Sequence, residues 1–417
     1  MKKTLFSLLF IMFPEKIPPR MHAKFLPSPM LSVTQFLKFP LPRQLPETHN
    51  THSGINALEP QLLFGCQENS NVKLSLELLQ DLPIPPAAII FTLEASESSW
   101  TWKSIRYAHL PGDQSQVAFP LWILNYWDEV SKLQKHINHP WSRAKMFLLE
   151  IQNSSWRSPD ARRLCDSARL FFLQLPWCGG TSGFTNSEPT VKLAAYHSKN
   201  CFETTHIDQQ LDLLRIDLAR TGSTEHEVID PHVFEKLITV YRDREQTAYR
   251  DASGMQHLWA IGCELAQGTR TKLGGVVNVI RHWVGVVVDV PNSVILYGDS
   301  LGGSHAQLKA AIEWWVQFHT GKSYTHESLP IMQQLDSYNC PILAVKAVCH
   351  HLLPQSSQLL SSQPLAIIEE RLTIFKHICE RDAEMVSKRL SFYGHYLRRH
   401  CLIAHILGDP RRSRSDI

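Results

Sequence analysis

The chain has 417 residues, of which 43% are hydrophobic and 19% are charged, and its formal net charge is +3. This length predicts two domains, and this composition is typical of a folded globular protein. The small net charge indicates no particular partner, and no nucleic-acid site is predicted. Nine scattered cysteines without a Cys-x-x-Cys spacing favour free thiols in a reducing compartment, the nucleus or the cytoplasm, over a disulfide framework.

The first 75 residues are predicted to be a poorly ordered segment. Lys2 and Lys3, followed by ten largely apolar residues that end at Phe13, resemble the start of a secretory signal peptide, but no small-x-small cleavage site follows. A disordered arm or an N-terminal extension is therefore favoured over secretion. The apolar run is too short to cross a bilayer, and no membrane segment is predicted. Residues 14–75 are rich in Pro, Ser, Asn and Gln, as disordered segments are.

Residues 76–178 are predicted to form an accessory α/β region. A strand is predicted over 87–93, and a helical segment is predicted to open at 120–130. The tryptophans of this region are either an aromatic core or a binding platform; they are Trp100, Trp102, Trp122, Trp127 and Trp141.

The remainder of the chain is predicted to hold one larger domain. The Gly- and Ser-rich residues 179–192 are predicted to be a linker. The domain itself is placed at 193–402, and a long charged helix is predicted to begin near Leu365 and close it. Residues 403–417 are predicted to be a basic tail, which is either a solvated end or a weak nuclear or nucleic-acid signal.

His282 and Asp299 belong to a predicted β-hairpin of this domain. The run 274–290 is rich in β-branched residues and too apolar for a solvated strand, which predicts a sheet buried on both sides. After a break, residues 293–299 are predicted to return beside it. Because the start of one antiparallel strand lies beside the end of the next, His282 and Asp299 should be neighbours in space. The rival acid, Asp289, lies at the turn end of the hairpin.

Cys340 is predicted to stand at the amino terminus of a helix. A polar loop ends at Asn339, and Pro341 opens an apolar segment that continues to Leu353. Proline is favoured in the first helical turn, where its missing N–H costs nothing. The positive end of the helix dipole then favours a thiolate over a thiol at Cys340.

Together these residues supply the chemistry of a cysteine protease. Attack on an amide or isopeptide carbonyl needs a thiolate, a proton carrier, a group that holds the carrier's tautomer, and a donor to the developing oxyanion. Cys340 is the candidate nucleophile and His282 the candidate base. Asp299 is the candidate orienting acid, and Gln334, in the loop before the cysteine, is the candidate oxyanion donor.

The order His282-Trp283, Asp299-Ser300, Gln334 and Cys340 resembles the ubiquitin-like protease family, the Ulp and sentrin-specific proteases that process SUMO and related modifiers. In that family the oxyanion glutamine lies six residues before the cysteine, as Gln334 does here. The resemblance covers about residues 195–400, and the segment 201–214 resembles the helix with which these domains begin. The overall style is similar to that of divergent Ulp-like proteins of basidiomycete fungi, which are often tied to mobile elements.

The resemblance implies an α+β, papain-like fold of the Ulp type, in which helices flank a central mixed sheet, with the smaller accessory region before it. It implies cleavage of a SUMO-like protein after a C-terminal Gly-Gly, without a metal or other cofactor. A ubiquitin-like protein or its conjugates would be the partner. Trp283 would bind substrate, as a wall of the narrow slot that admits the Gly-Gly tail.

Two positions depart from the family's pattern. Cys201 stands at the place of the family's first tryptophan, which leaves Trp283 as the evident wall of the slot. Pro341 replaces the glycine that usually follows the nucleophile, and it biases Cys340 away from helical backbone angles. The alternative to an active peptidase is therefore a catalytically decayed module that binds a ubiquitin-like protein or serves a mobile-element-encoded protein.

Two short groups contain metal-ligating residue types. They are Cys349-His350-His351 and the pair His377 and Cys379. Neither has a partner pair at the spacing of structural zinc sites, so packing on a helix face is favoured and no metal site is predicted.

Overall fold

The computed structural model describes residues 16–43, 64–65, 79, 84–85, 90, 107–109, 118–120, 122–153, 158–244, 249, 254–361 and 363–406. The signal-like run, much of the segment predicted to be poorly ordered and the end of the basic tail lie outside these residues. Contacts divide the chain into two units, Met1–Arg143 with Leu173–Cys178, and Ala144–Phe172 with Gly179–Ile417. One division falls between residues 178 and 179, where the predicted linker begins.

The first unit combines helices with a small antiparallel sheet. Its elements in chain order are α1 (Pro19–Phe25), α2 (Val33–Phe36), β1 (Phe64–Gly65), β2 (Tyr107–His109), β3 (Ala118–Pro120), α3 (Trp122–Leu133), a π-helical turn (Gln134–Asn138) and the start of α4 (His139–Gln152). The strand order across the small sheet is β1-β2-β3.

Three tryptophans of the first unit are core residues. Trp122, Trp127 and Trp141 are 6%, 1% and 0% exposed, so for them the aromatic core is confirmed and the binding platform is wrong. Trp100 and Trp102 lie outside the described residues. Of the strand predicted over 87–93, the structure describes only Ile90, which is helical and buried, so the prediction is wrong at that position. A short apolar run fits a buried helix as well as a strand.

The second unit is built on a mixed five-stranded sheet. Its strands are β4 (His226–Ile229), β5 (Lys272–Val279), β6 (His282–Asp289), β7 (Val294–Gly298) and β8 (Thr325–Ser328), and they lie in this order across the sheet. The pairs β5–β6 and β6–β7 are antiparallel. The outer pairs β4–β5 and β7–β8 are parallel.

Helices and a 3₁₀ turn surround this sheet. Along the chain they are α5 (Pro159–Gln174), the 3₁₀ turn (Thr190–His197), α6 (Thr204–Thr221), α7 (Pro231–Arg242), α8 (Gln256–Gln267), α9 (Ala306–Thr320), α10 (Cys340–Leu352) and α11 (Pro364–Ile406). The long closing helix, α11, thus continues into the segment predicted as a tail. Among the described residues, none of the helices has the length and apolar character needed to span a membrane.

Both faces of the sheet are buried, as predicted from its β-branched strands. On β6, Val284, Val286 and Val288 are 0% exposed and pack in one cluster with residues of α7, α8 and α9. Trp283 and Val287, on the other face, pack with α6 and α10. Fully burying one such valine stabilises the fold by about 1.5–3 kcal/mol. The second unit therefore has the predicted α+β fold, with a central mixed sheet flanked by helices.

The segment predicted as the first strand of the hairpin forms two strands, so the prediction is wrong in this respect. β5 and β6 are joined by a tight turn at Ile280 and Arg281, whose φ angles are 51° and 64°. Positive φ at both central residues is the geometry of a hairpin turn, but glycine or asparagine normally marks it in a sequence. Isoleucine and arginine gave no such signal.

A glycine on β6 brings α10 close to the sheet. A Cβ atom at Gly285 would lie 3.1 Å from the carbonyl oxygen of Ala344 on α10. This is tighter than an ordinary van der Waals contact, so a larger residue would push the helix outward. Because Cys340 is the first residue of α10, the same packing fixes where its thiol stands relative to β6.

Candidate active site

His282 and Asp299 meet at one end of the sheet. His282 is the first residue of β6, Asp299 directly follows β7, and Gly285 pairs with Gly298 between them. The imidazole Nε2 lies 2.7 Å from Asp299 Oδ1, in agreement with the neighbourhood predicted from the hairpin. Both side chains are mostly buried, at 15% and 4% exposure. The pair is therefore shielded from water, which strengthens its electrostatic interaction.

The Asp299 carboxylate is held by its own loop. Its Oδ1 atom also accepts the backbone N–H of Leu301 at 2.8 Å. A Cβ atom at Gly303 would lie 2.6 Å from Asp299 Oδ2, so this position has room for glycine alone while the carboxylate stays in place. Since Nε2 of His282 faces the carboxylate, Nδ1 is the ring atom left to exchange a proton with a thiol.

Asp289, the rival acid, lies at the opposite end of β6. It pairs with Lys272 at 3.4 Å, and its Oδ1 accepts the backbone N–H of Asn292 at 3.2 Å. Its carboxylate thus has partners at the far end of the hairpin and does not orient His282.

Cys340 stands at the amino terminus of α10, as predicted. It is the first helical residue, Pro341 is the second, and the cysteine is 3% exposed. The backbone N–H groups of Trp283 and of Cys340 itself donate to the sulfur. Because Trp283 follows His282 in the chain, this contact brings the start of β6 to the thiol. The pre-proline position does not prevent Cys340 from opening the helix.

The thiols of Cys340 and Cys201 influence each other's pKa, an interaction that the sequence did not predict. The Cys340 thiol lowers the pKa of Cys201 to about 7; burial opposes this shift and the charge of Arg371 favours it. Interaction with Cys201 and burial raise the pKa of Cys340, against the two N–H groups that donate to its sulfur. The thiolate predicted for Cys340 from its place at the helix amino terminus is therefore not favoured in this arrangement. Interacting thiols titrate together, so the first proton lost belongs to the pair.

Gln334 lies in the loop before α10 with its side chain fully engaged. Its Oε1 accepts the Ser300 hydroxyl at 3.1 Å, and its backbone N–H donates to the Ser300 carbonyl at 2.8 Å. Its Nε2 donates to the carbonyl of Asp336 at 2.6 Å and faces the Asp336 carboxylate at 3.3 Å. The donor end of the amide is therefore directed at Asp336, and the oxyanion role of Gln334 stays a prediction.

Asp336 organises this loop, and the sequence interpretation missed it. Its Oδ1 accepts the backbone N–H groups of Tyr338 and Asn339, each at 2.9 Å, and its Oδ2 accepts Asn339 Nδ2 at 2.6 Å. Burial alone would raise the pKa of the Asp336 carboxyl, but these donors lower it below its ordinary value. An aspartate whose carboxylate accepts the backbone N–H groups two and three residues later forms an Asx turn. An aspartate at this place in the loop before the helix is the sequence signal that could have revealed the role of Asp336.

Trp283 is 3% exposed and belongs to the same core cluster as Cys340 and Leu329. The indole of Trp283 is therefore part of the buried core between the sheet and α10. Its role as a wall of a substrate slot stays a prediction.

The two groups with metal-ligating residue types contact protein instead. Burial raises the pKa of the Cys349 thiol to about 12, and His350 Nδ1 lies 2.7 Å from the Ser357 carbonyl oxygen. Cys379 is 3% exposed. Across the part of the chain that the structure describes, there is no cluster of three or more His, Cys, Asp or Glu side chains arranged to hold a metal ion.

Comparison with known proteins finds likenesses among solved structures. No family model and no curated protein matches the chain. The SUMO protease Ulp1 with its catalytic cysteine oxidised to a sulfinic acid aligns over 55% of this chain and 97% of its own, with 15% identity and a TM-score of 0.39. The Ulp1 protease domain in complex with Smt3, the yeast ortholog of SUMO, aligns over 55% of this chain and 97% of its own, with 14% identity and a TM-score of 0.39. The Xanthomonas campestris effector XopD bound to ubiquitin aligns over 42% of this chain and 91% of its own, with 18% identity and a TM-score of 0.31.

Proposed function

We propose that this chain is a cysteine peptidase that cleaves after the C-terminal Gly-Gly of a ubiquitin-like, SUMO-like modifier, in the nucleus or the cytoplasm. The observation that carries the proposal is the 2.7 Å contact of His282 with Asp299 at the end of the sheet where Trp283 donates its backbone N–H to Cys340. A base, its orienting acid and a thiol at a helix amino terminus thereby share one small region.

In the first half of the reaction, the Cys340 sulfur attacks the carbonyl carbon of the scissile bond. The thiol proton moves to Nδ1 of His282, and the Asp299 carboxylate stabilises the imidazolium through Nε2. The backbone N–H of Cys340 and the side chain of Gln334 are the proposed donors to the oxyanion. Collapse of the tetrahedral intermediate expels the amine, which takes the proton from the imidazolium and leaves a thioester on Cys340.

In the second half, a water molecule attacks the thioester carbonyl while His282 accepts its proton. The tetrahedral intermediate then releases the Cys340 sulfur, which regains a proton, and the product leaves with a free carboxyl terminus. No metal is needed in either half, because the thiolate is the nucleophile and the N–H groups stabilise the oxyanion.

Exposed apolar side chains favour a protein substrate. Ile280, Leu301 and Leu335 are 89%, 60% and 73% exposed. Each lies within two residues of a candidate site residue, namely His282, Asp299 or Gln334. Large apolar side chains left in water around a reactive site are typical of surfaces that bind another protein. The order and spacing of the motifs resemble those of ubiquitin-like proteases, and they therefore favour a ubiquitin-like modifier as the bound protein.

Two contacts favour the alternative, a decayed module that binds a ubiquitin-like protein without cleaving it. The donor end of Gln334 is engaged with Asp336 rather than open to an oxyanion. The Cys340 thiol is engaged with that of Cys201, which stands at the place of the family's first tryptophan. An active enzyme must release both contacts when substrate enters.

Covalent capture separates the two functions. We expect the purified chain to form a stable adduct with SUMO or ubiquitin carrying a C-terminal vinyl sulfone, because such probes need both binding and an activated thiol. Mass spectrometry of the adduct should place the modification on Cys340. Binding of the unmodified proteins without an adduct would support the decayed module, and an adduct on Cys201 would assign the nucleophile to the other thiol.

Gln334→Ala is expected to lower kcat by roughly a hundredfold, which is about 3 kcal/mol, with little change in KM. Removal of an oxyanion donor weakens the transition state but not the bound substrate. The melting temperature should also fall, because the side chain contacts Ser300 and Asp336. Steady-state kinetics and thermal unfolding measure these effects.

Two variants separate the oxyanion role from loop packing. Ser300→Ala removes the hydroxyl that contacts Gln334 Oε1, so it should reproduce part of the stability loss but retain most of kcat. Gln333→Ala changes an exposed neighbour and should alter neither quantity. An equal fall in kcat for Ser300→Ala and Gln334→Ala would show that Gln334 acts only by packing the loop.

A further inference from the structure

Two cysteines from distant parts of the chain face each other at the candidate site. Cys201 precedes α6 and is exposed, whereas Cys340 opens α10 and is 3% exposed. Both are free thiols, and Arg371 binds the residue directly before each of them. We propose that Cys201 and Cys340 form a reversible disulfide that blocks the Cys340 sulfur under oxidising conditions.

Arg371 on α11 holds the two segments together. Its guanidinium donates to the Asn200 carbonyl at 3.0 Å and to Asn339 Oδ1 at 2.8 Å. These two partners directly precede Cys201 and Cys340 in the chain. One rigid, planar group thus binds the residue before each thiol, through the backbone of Asn200 and the side chain of Asn339.

Further contacts of Arg371 strengthen this clamp. Its guanidinium carbon lies 4.3 Å from the ring centroid of Phe202, the residue after Cys201, and its Nη2 also donates to the Ala195 carbonyl at 2.7 Å. Arg371 is 2% exposed, so its charge has no ready alternative in water. Removing partners from a buried charge is strongly unfavourable, and this keeps the two segments in register.

The exposed thiol is the one that an oxidant reaches first. The pKa of Cys201, lowered to about 7, gives it a large thiolate fraction at neutral pH, and thiolates rather than thiols react with peroxide. The Cys201 thiolate attacks hydrogen peroxide to give a sulfenic acid and hydroxide. The Cys340 thiol then attacks that sulfur, an S–S bond forms, and the hydroxyl group leaves as water with the thiol proton. Two electrons pass from the thiols to the peroxide, and a dithiol returns them.

The disulfide would protect as well as inhibit. A thiol that stops at sulfenic acid can be oxidised further to sulfinic and sulfonic acids, which ordinary thiols do not reverse. A neighbouring thiol intercepts the sulfenic acid before that happens. Cys201 would therefore make oxidation of the site recoverable.

The test is oxidation of the full-length protein with limited hydrogen peroxide, followed by alkylation and non-reducing peptide mapping. We expect a cross-linked peptide that joins Cys201 to Cys340 and disappears after treatment with dithiothreitol. Capture by the ubiquitin-like vinyl sulfones should be lost with the cross-link and return with reduction. If the chain captures no probe at all, the mapping alone decides, so the disulfide and the peptidase activity can fail separately.

Matched cysteine variants complete the test. In Cys201→Ser, peroxide should drive Cys340 to acids that dithiothreitol does not reverse, because the resolving partner is gone. In Cys263→Ser, which changes a partly exposed cysteine on α8, the cross-link should form as in the wild type. The proposal is overturned if the oxidised wild type shows both thiols still alkylated, a cross-link to any other cysteine, or irreversible acids on Cys340.

Discussion

Cys340→Ser is expected to abolish peptidase turnover, with a loss on the order of 10⁴-fold or more, or above about 5 kcal/mol of transition-state stabilisation. Serine keeps the shape of the side chain, but its hydroxyl is a far weaker nucleophile than a thiolate in a site arranged for sulfur. Binding of the ubiquitin-like protein should persist, because only the reacting atom changes. Turnover of a fusion of SUMO to a reporter peptide and the binding affinity are the two measurements.

Cys349→Ser provides the matched control on the same helix. Cys349 lies nine residues further along α10 than Cys340, and burial raises the pKa of its thiol to about 12, so we expect this sulfur to be a packing group. Turnover of this variant should match that of the wild type, apart from a modest loss of stability. Full turnover by Cys340→Ser, or loss of turnover in Cys349→Ser at unchanged stability, would show that Cys340 is not the nucleophile.

The sequence predicted the parts of the site that depend on regular structure. The β-branched runs indicated a sheet buried on both faces, and the return of residues 293–299 brought His282 beside Asp299. Pro341 marked the start of α10 and placed Cys340 at its amino terminus. Local propensity and strand periodicity decide these features, so one chain contains enough information for them.

Long-range contacts account for what the sequence did not predict. Arg371 lies on a helix dense in charged residues, and nothing in its neighbourhood distinguishes it from a solvated side chain, yet it is buried against Asn200 and Asn339. The sequence singled out Cys201 only as a replacement of the family's tryptophan, and it did not predict the interaction of Cys201 with Cys340. Ile280 and Arg281 form a tight turn without the residues that usually mark one.

The contacts of Cys340 suggest one order of events at the site. The thiol, the Gln334 amide and the Asp336 carboxylate all have partners within the protein. In the proposed reaction, a substrate tail would displace some of these partners: displacement of Cys201 would free the sulfur for His282, and release of Gln334 from Asp336 would free an oxyanion donor. Binding energy from the substrate would then be used to assemble the reacting groups.

Asp299→Asn is expected to lower kcat on the order of 10³-fold, because the amide carries no charge to stabilise the imidazolium and can hold the wrong tautomer. The side chain keeps its size and its place beside Leu301, so stability should change little. Steady-state kinetics at one neutral pH measure kcat, and thermal unfolding measures the change in stability.

Asp289→Asn is the matched control for Asp299→Asn. The carboxylates of Asp289 and Asp299 are 5% and 4% exposed, and they lie at opposite ends of the same hairpin. Loss of the Asp289 charge removes the partner of Lys272 and should lower the melting temperature while leaving kcat unchanged. A merely structural role for Asp299 would instead lower the stability and the activity of Asp299→Asn together. A large fall in kcat at nearly unchanged melting temperature therefore distinguishes a carboxylate that acts on His282 from one that only supports the end of the sheet.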